Sequence, residues 1–168
     1  HALNNATGSG NIALGADAGT FVTSGSGNIH IGHTGNASDN NILRNGSSQT
    51  ATYIAAIRGV VPGADPLPVL IDNTGRLAVG TSSRTVKDAI ADMGETSEIL
   101  MNLRPVTFHY RDRAAAGDLR RQYGLIAEEV AKVAPDLVAH SADGGIESVF
   151  YQHLPPMLLN EYQKQQRT

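Results

Sequence analysis

The chain contains no cysteine and no tryptophan among its 168 residues. Without cysteine it forms neither disulfides nor thiolate zinc sites and has no thiol nucleophile, which leaves the redox compartment open. No apolar run approaches the ~20 residues that a membrane-spanning helix needs. The net charge of -3 comes with no cluster of basic residues, so we expect neither nucleic acid nor a membrane as a partner.

Charged side chains are scarce in the first 80 residues and common in the remaining 88. The first part holds seven of the 29 charged residues and 13 of the 18 glycines. Abundant glycine favours short strands and tight turns, whereas charges and apolar residues at helical spacing favour helices. We therefore expect an α+β protein with two domains: a β-rich repeat stalk over residues 1–80, and a small α+β domain over residues 81–168 that ends in a helix.

Two stretches of the stalk repeat each other with an offset of 17 residues. GSGNIALGADAG begins at Gly8, and GSGNIHIGHTG begins at Gly25. Such repeats are typical of stacked β architectures, in which each repeat supplies a short strand and a tight turn. The apolar residues alternate as neighbours on one face of a strand do: Ile12, Leu14, Ile29 and Ile31.

One repeat does not bury enough apolar surface to fold alone. Each repeat offers about two apolar side chains, worth roughly 1.5–3 kcal/mol apiece when fully buried. Ordering its backbone costs roughly 1–2 kcal/mol for every residue. Identical neighbouring chains are the simplest source of the missing contacts.

The remainder of the stalk is predicted from turn signals and apolar residues. VLIDNTGRLAVG predicts a β-hairpin with strands over residues 69–71 and 77–79. His30 and His33 could in principle bind a metal, but their spacing is loose and no carboxylate accompanies them. We favour structural or solvent-exposed histidines and expect no metal and no cofactor. Four apolar side chains are expected in the core: Ile42, Tyr53, Ile54 and Ile57.

The second domain is predicted to consist of helices around small β-hairpins. Helical spacing predicts one helix from about Thr85 to Gly94 and a second from Thr96 to Pro105. VTFHY predicts a strand, DRAAAGDLRRQ a mobile loop, and YGLIAEEVAKVAPDL a strand followed by a helix over about residues 127–133. LVAHSADGGIESVFY predicts another hairpin.

The chain ends in LPPMLLNEYQKQQRT, which predicts an amphipathic helix with prolines in its first turn. Its apolar stripe packs either on its own domain or on copies of itself: Met157, Leu158, Leu159 and Tyr162.

The boundary between the two parts, GTSSRTVKDAI, allows two interpretations. Its hydroxyl residues are good helix N-caps, and Thr85 with Asp88 resembles a capping box. Alternatively, Lys87 in the first turn meets the positive end of the helix dipole, and burial would lower its pKa further, so that it could act as a general base. Ser82 in the extended chain ahead of the cap could then approach Lys87 as a Ser–Lys dyad. No third member of such a site stands out nearby.

The residues from this boundary onward resemble the endosialidase-type intramolecular chaperone domain, a self-cleaving C-terminal module of phage tail spikes and fibres. The resemblance runs in continuous order over about residues 80–165, and LRPVTFHY with YGLIAEEV is its most specific part. Similar domains end many bacterial fibre-like proteins. The location implied is therefore a virion tail fibre or spike, a bacterial cell surface, or the secreted fraction.

The resemblance implies a homotrimer in which this domain drives assembly of the preceding stalk, a β-roll or β-prism-like trimer, and then releases itself. The family cleaves before the serine of a motif close to Ser-Asp-x-Arg-x-Lys. Aligned on Lys87, the serine is Ser82, so the implied catalytic residues are Ser82 and Lys87 and the cleaved bond is Thr81–Ser82. Ser83 and Thr85 stand where the family usually has aspartate and arginine.

Two other functions compete with this one. The glycine-rich repeats also resemble those of trimeric adhesin heads, which favours a structural trimeric fibre module that never cleaves. A glycan-binding or glycan-cleaving site is less favoured, because the aspartates of the stalk are scattered and few aromatic side chains accompany them. A host-surface or glycan receptor would be bound through regions outside this sequence.

Overall fold

The structure, a computed structural model, describes residues 1–167 and is a mixed α/β chain with small sheets and a C-terminal helix. It divides into two compact units, residues 1–62 and the residues from Gly63 onward. The predicted domain boundary at residue 80 stays a prediction. The two units are described in turn.

The first unit carries a parallel sheet in the order β1–β2–β3. Its strands are β1 (Ile12–Leu14), β2 (Ile29–Ile31) and β3 (Leu43–Asn45). β1 and β2 come from the two repeats recognised in the sequence and pair in register, with Ile12 opposite Ile29. The repeat periodicity therefore placed both strands correctly.

β3 is a third strand of the same sheet that the sequence repeats did not predict. Leu43 pairs with Ile29, although only 14 residues separate them instead of 17. Asn41 occupies the left-handed conformation, with φ 56°, that Gly27 adopts one strand earlier at φ 67°. Because asparagine tolerates this conformation better than most residues, it replaces glycine and conceals the repeat.

Asparagine side chains connect the successive strands. The Asn11 Oδ1 atom accepts hydrogen bonds from the Asn28 backbone N at 3.0 Å and from Asn28 Nδ2 at 3.1 Å. Asn28 Oδ1 in turn accepts from the Ile42 backbone N at 3.0 Å. Amides satisfied in this way, with Asn28 fully buried, hold the successive strands in register where apolar contacts are few.

The two faces of this sheet differ in burial. On the covered face, each strand contributes one residue to a row across the sheet: Ala13, His30 and Arg44. His30 is fully buried. The opposite face is apolar and largely open in the single chain. We call this the apolar sheet face, and its residues are Ile12, Leu14, Ile29, Ile31 and Leu43.

The four side chains predicted as core of the stalk are not buried. Ile42, Tyr53, Ile54 and Ile57 are all exposed, and no helix or strand lies between β3 and Val69 in the described chain. That prediction was wrong for the single chain. An apolar side chain needs covering elements, and this irregular stretch brings none to these positions.

The second unit contains three antiparallel two-stranded sheets, which pair β4 with β5, β6 with β7 and β8 with β9. The strands are β4 (Val69–Ile71), β5 (Leu77–Val79), β6 (Val106–Phe108), β7 (Gln122–Gly124), β8 (Val138–His140) and β9 (Ile146–Val149). The helices are α1 (Arg111–Ala115), α2 (Ala127–Val133) and α3 (Leu154–Arg167), with 3-10 segments at Arg84–Val86, Gly94–Asn102, Pro135–Leu137 and Tyr151–His153. Both predicted hairpins and the predicted strand over VTFHY are confirmed.

The core of the second unit lies between α2, the β8–β9 hairpin and α3. Its buried side chains are Val130, Ala134, Leu137, Val138, Val149 and Met157. α3 also packs along the 3-10 segment Gly94–Asn102, where Ser97 donates a hydrogen bond to Glu161 and Asn160 donates to the Gly94 carbonyl. In the predicted apolar stripe, Met157 packs into this core, whereas Leu158, Leu159 and Tyr162 are 56%, 56% and 60% exposed, so the helix's own domain covers the stripe only in part.

Two helix predictions were wrong in type or place. The helix expected from about Thr85 to Gly94 is only the 3-10 segment Arg84–Val86, followed by irregular chain. It buries no residue, and a short helix without tertiary packing is marginal in water. The second helix, expected from Thr96 to Pro105, is the 3-10 segment Gly94–Asn102. The stretch expected to be a mobile loop, residues 112–122, begins inside the short helix α1.

Candidate active site

The structure brings Ser82 and Lys87 into direct contact. The Lys87 Nζ atom donates a hydrogen bond to the Ser82 Oγ atom at 2.9 Å. This distance is within the reach needed for proton transfer between a nucleophile and its base. Thr81, whose carbonyl would be attacked, precedes Ser82 in irregular chain.

A short turn, not a helix, produces this contact. Ser83 is the N-cap of the 3-10 segment Arg84–Val86, and the Lys87 backbone N donates to the Arg84 carbonyl at 3.2 Å to close it. Lys87 leaves the segment in extended conformation, with φ -121° and ψ 143°. It therefore does not lie in the first turn of a helix, and the dipole effect expected from the sequence does not apply.

The site is open in the single chain. Ser82 and Lys87 are exposed, as are all residues from 80 to 92. The burial invoked from the sequence for Lys87 is thus not supplied by its own chain. Asp88, the neighbouring carboxylate, accepts a hydrogen bond from the Ala89 backbone N instead of joining the pair.

A second polar cluster lies in the first unit around Asp39. Asp39 is 3% exposed and accepts hydrogen bonds from His30 Nε2 at 3.0 Å, from Arg44 Nε at 2.7 Å and from Arg44 Nη2 at 2.6 Å. The pKa of Asp39 lies well below its usual range, mainly because the Arg44 guanidinium donates hydrogen bonds to its carboxylate. Burial, with the nearby Arg44 and His30, lowers the pKa of His33.

This cluster corrects one expectation. The sequence suggested that no carboxylate accompanies His30, whereas Asp39, nine residues later, is its direct partner. A separation of nine residues has no recognisable period in a strand or helix, so only the tertiary fold reveals the pair. We assign the cluster a structural role, because its members are bound to one another beneath the sheet.

One groove of the second unit is apolar. It has a volume of about 710 Å³, and among its lining residues only Tyr123 is ionisable. The groove therefore has no paired carboxylates or base with which to catalyse a reaction on a small molecule. Its lining is Leu100, Leu103, Pro105, Val106, Thr107, Tyr123, Gly124, Leu125, Leu154 and Leu158.

Two other kinds of site are absent from residues 1–167. Nowhere in this range do three histidine, aspartate or glutamate side chains converge as metal ligands would. No helix within it is long and apolar enough to cross a bilayer. The Ser82–Lys87 pair is therefore the arrangement with the clearest chemistry.

Comparison with known proteins bears on the same segment. Residues 82–139 match a family model described as the chaperone of endosialidase. This segment is an endosialidase-chaperone-type domain. No curated protein matches the chain. The family description is consistent with a chaperone role for the domain.

The match to the endosialidase-chaperone-type domain begins at Ser82 and covers about a third of the chain. It includes the Arg84–Val86 turn, β6, β7 and α2 and ends within β8. Ser82 and Lys87 thus both fall within the family segment. Ser83 also falls within it. The sequence offers several hydroxyl residues as caps, and the structure assigns the cap to Ser83.

Proposed function

We propose that residues 81–168 form an intramolecular chaperone that promotes homotrimerisation of a fibre or tail-spike-like protein and then releases itself by cleaving the Thr81–Ser82 bond. The 2.9 Å contact between Lys87 Nζ and Ser82 Oγ is the observation that carries the enzymatic part. The family match from Ser82 onward supports it. The protein would act on a virion tail or a bacterial surface, without a cofactor.

The proposed reaction is an acyl shift followed by hydrolysis. Neutral Lys87 accepts the Ser82 hydroxyl proton while Oγ forms a bond to the Thr81 carbonyl carbon. The bond from that carbon to the Ser82 nitrogen breaks, and the nitrogen leaves as an amine after receiving the proton. Water then attacks the ester, the bond to Oγ breaks, and the products are a Thr81 carboxylate and a new N-terminal Ser82.

The catalytic proposal is tested with Ser82→Ala and Lys87→Ala in the full chain. On a denaturing gel and by intact mass, the parent is expected to yield a fragment that begins at Ser82, and neither variant should yield it. The matched controls are Ser48→Ala and Lys132→Ala, which remove exposed residues elsewhere. A parent that stays at full length after prolonged incubation as a trimer contradicts cleavage and favours the non-cleaving structural fibre module.

The trimer part of the proposal depends on the apolar sheet face. Leu14 and Leu43 are mostly exposed on it in the single chain, and burial of each such side chain is worth roughly 1.5–3 kcal/mol. Every copy presents the same face beside the same turns. A second and a third copy would therefore supply the missing contacts.

Leu14→Glu is expected to prevent assembly. The substitution would bury a carboxylate in each interface, which costs several kcal/mol without a partner. Light scattering should find a trimer for the parent and a monomer for the variant. The control is Leu119→Glu, because Leu119 and Leu14 are both 65% exposed but Leu119 lies in a loop of the second unit. An unchanged trimer in Leu14→Glu places the interface elsewhere.

A further inference from the structure

We propose that Ser83 is a positioning residue for cleavage: its side chain caps the turn that returns Lys87 to Ser82. The inference rests on the proposed function of the Ser82–Lys87 pair. It concerns a residue that reacts with nothing itself. Ser83 acts through the conformation of residues 82–87.

The hydrogen bonds around Ser83 define this turn. Its backbone is extended, with φ -62° and ψ 142°, and its Oγ atom accepts from the Thr85 backbone N at 3.3 Å. The same Oγ lies 2.8 Å from the Thr85 hydroxyl, so both hydroxyls join one hydrogen bond. The Val86 backbone N donates to the Ser83 carbonyl at 3.2 Å. Ser83 thus contributes both a side-chain acceptor and a backbone acceptor.

The contact between Ser82 and Lys87 requires the turn. Five extended residues span roughly 17 Å, since each covers at most about 3.3–3.6 Å. A lysine side chain does not bridge that length. With the turn formed, Lys87 Nζ lies 2.9 Å from Ser82 Oγ.

Tertiary packing does not hold the turn in the single chain. Every residue from 80 to 92 is exposed, and the 3-10 segment buries none of its residues. A segment of three residues is also too short to be stable by its own backbone hydrogen bonds. The local cap is therefore the main interaction that selects the conformation with Lys87 beside Ser82.

Serine is a sufficient cap at this position. Serine, aspartate and asparagine are the strongest N-cap residues and are nearly equivalent, whereas alanine is far weaker. Ser83 in place of the aspartate usual in the family therefore retains an acceptor for the Thr85 backbone N. Thr85 adds a second hydroxyl to the same cap.

The first test measures cleavage of the full chain by Ser83→Ala and Ser83→Asn against the parent. Ser83→Ala should cleave about fivefold more slowly, which corresponds to the loss of one N-cap. Ser83→Asn should restore the parental rate, because its amide oxygen can cap without adding charge. The pH at half-maximal rate should be the same in all three, since the cap changes the population of the turn and not the charge beside Lys87. Ser48→Ala is the control.

The outcomes separate this inference from the proposed function. If the parent cleaves at Ser82, Ser82→Ala does not, and Ser83→Ala matches the parent, only the positioning role is overturned. Equal impairment of Ser83→Ala and Ser83→Asn overturns it as well. If the parental fragment begins at Ser83, that serine is the nucleophile and both proposals are wrong.

A second measurement applies to a parent that stays uncut. Nuclear Overhauser effects between the Lys87 side chain and the Ser82 β protons should be present in the parent and in Ser83→Asn, and about fivefold weaker in Ser83→Ala. Equal intensities in all three variants overturn the positioning role without reference to cleavage.

Discussion

Asp39→Ala is expected to lower the free energy of unfolding of the first unit by about 3 kcal/mol or more. Removal of one partner from a buried ion pair costs about 3–5 kcal/mol, because the other partner is left without compensation. Here Asp39 is the common acceptor for His30, which is fully buried, and for Arg44, which is 31% exposed. Because Arg44 is partly exposed, we expect the loss of unfolding free energy to lie toward the lower end of the range of about 3–5 kcal/mol.

Urea denaturation of the full chain at fixed protein concentration measures this loss. The matched control is Asp92→Ala, which removes an exposed aspartate of the second unit whose backbone is not left-handed and should change the unfolding free energy by less than about 0.5 kcal/mol. Similar effects of the two substitutions would contradict the role assigned to the Asp39 cluster.

The effect of Asp39→Ala should also depend on pH. The pKa of Asp39 is lowered in the folded state, so its contribution to stability is fully present above the unfolded value of 3.8. That contribution is lost as the pH falls from 3.8 through the lower folded pKa. The difference between parent and variant should therefore be constant near neutral pH and become smaller below about pH 4. A constant difference down to pH 2 would contradict the assignment.

Gly25→Ala is expected to disrupt the parallel sheet of the first unit. A Cβ atom at Gly25 would lie 1.7 Å from the Asp39 backbone oxygen, and backbone atoms do not move aside cheaply. Gly8, the equivalent residue one repeat earlier, would place its Cβ 2.1 Å from the Gly25 oxygen. Overpacking costs roughly 1–3 kcal/mol of unfolding free energy and occasionally more. Because this collision is so close, we expect a loss at or above that upper value.

Amide hydrogen exchange at Ile29 and Ile42, whose backbone N atoms donate to the Ile42 carbonyl and to Asn28 Oδ1, tests this prediction together with urea denaturation. Both residues should lose protection in Gly25→Ala. Gly63→Ala is the matched control, because an added Cβ there meets nothing within 4 Å and its φ is not in the left-handed region. Equal stability of Gly25→Ala and Gly63→Ala would show that the backbone at Asp39 can move away from Gly25 to make room for the added Cβ.

Local patterns predicted a large part of this fold. The alternation in VLIDNTGRLAVG placed β4 and β5 at the residues where they occur, and the helix α2 ends before Pro135 as expected. The glycine-rich repeats placed β1 and β2 in the same way. These predictions succeeded because strand alternation and turn chemistry depend on neighbours only a few residues away.

The failures concern residues whose conformation depends on distant contacts. Val86, Ile90 and Met93 have helical spacing, yet only Arg84–Val86 is helical, because no element covers Val86 and Ile90 in the single chain. The sequence predicted the pairing of Ser82 with Lys87 through the family motif, and the structure brings the two together by a turn that the pattern did not suggest.

By itself, the sequence determined the repeat, the hairpins and the resemblance of the second part to a known domain, because each is recognised from residues that are close together in the chain. Only the tertiary structure decided which face of the repeat sheet is covered, since alternation defines two faces without saying which lies inside. It placed His30 and Arg44 against Asp39 and left Leu14 open. It likewise decided how Lys87 meets Ser82, because a capped turn of three residues leaves almost no periodic signal.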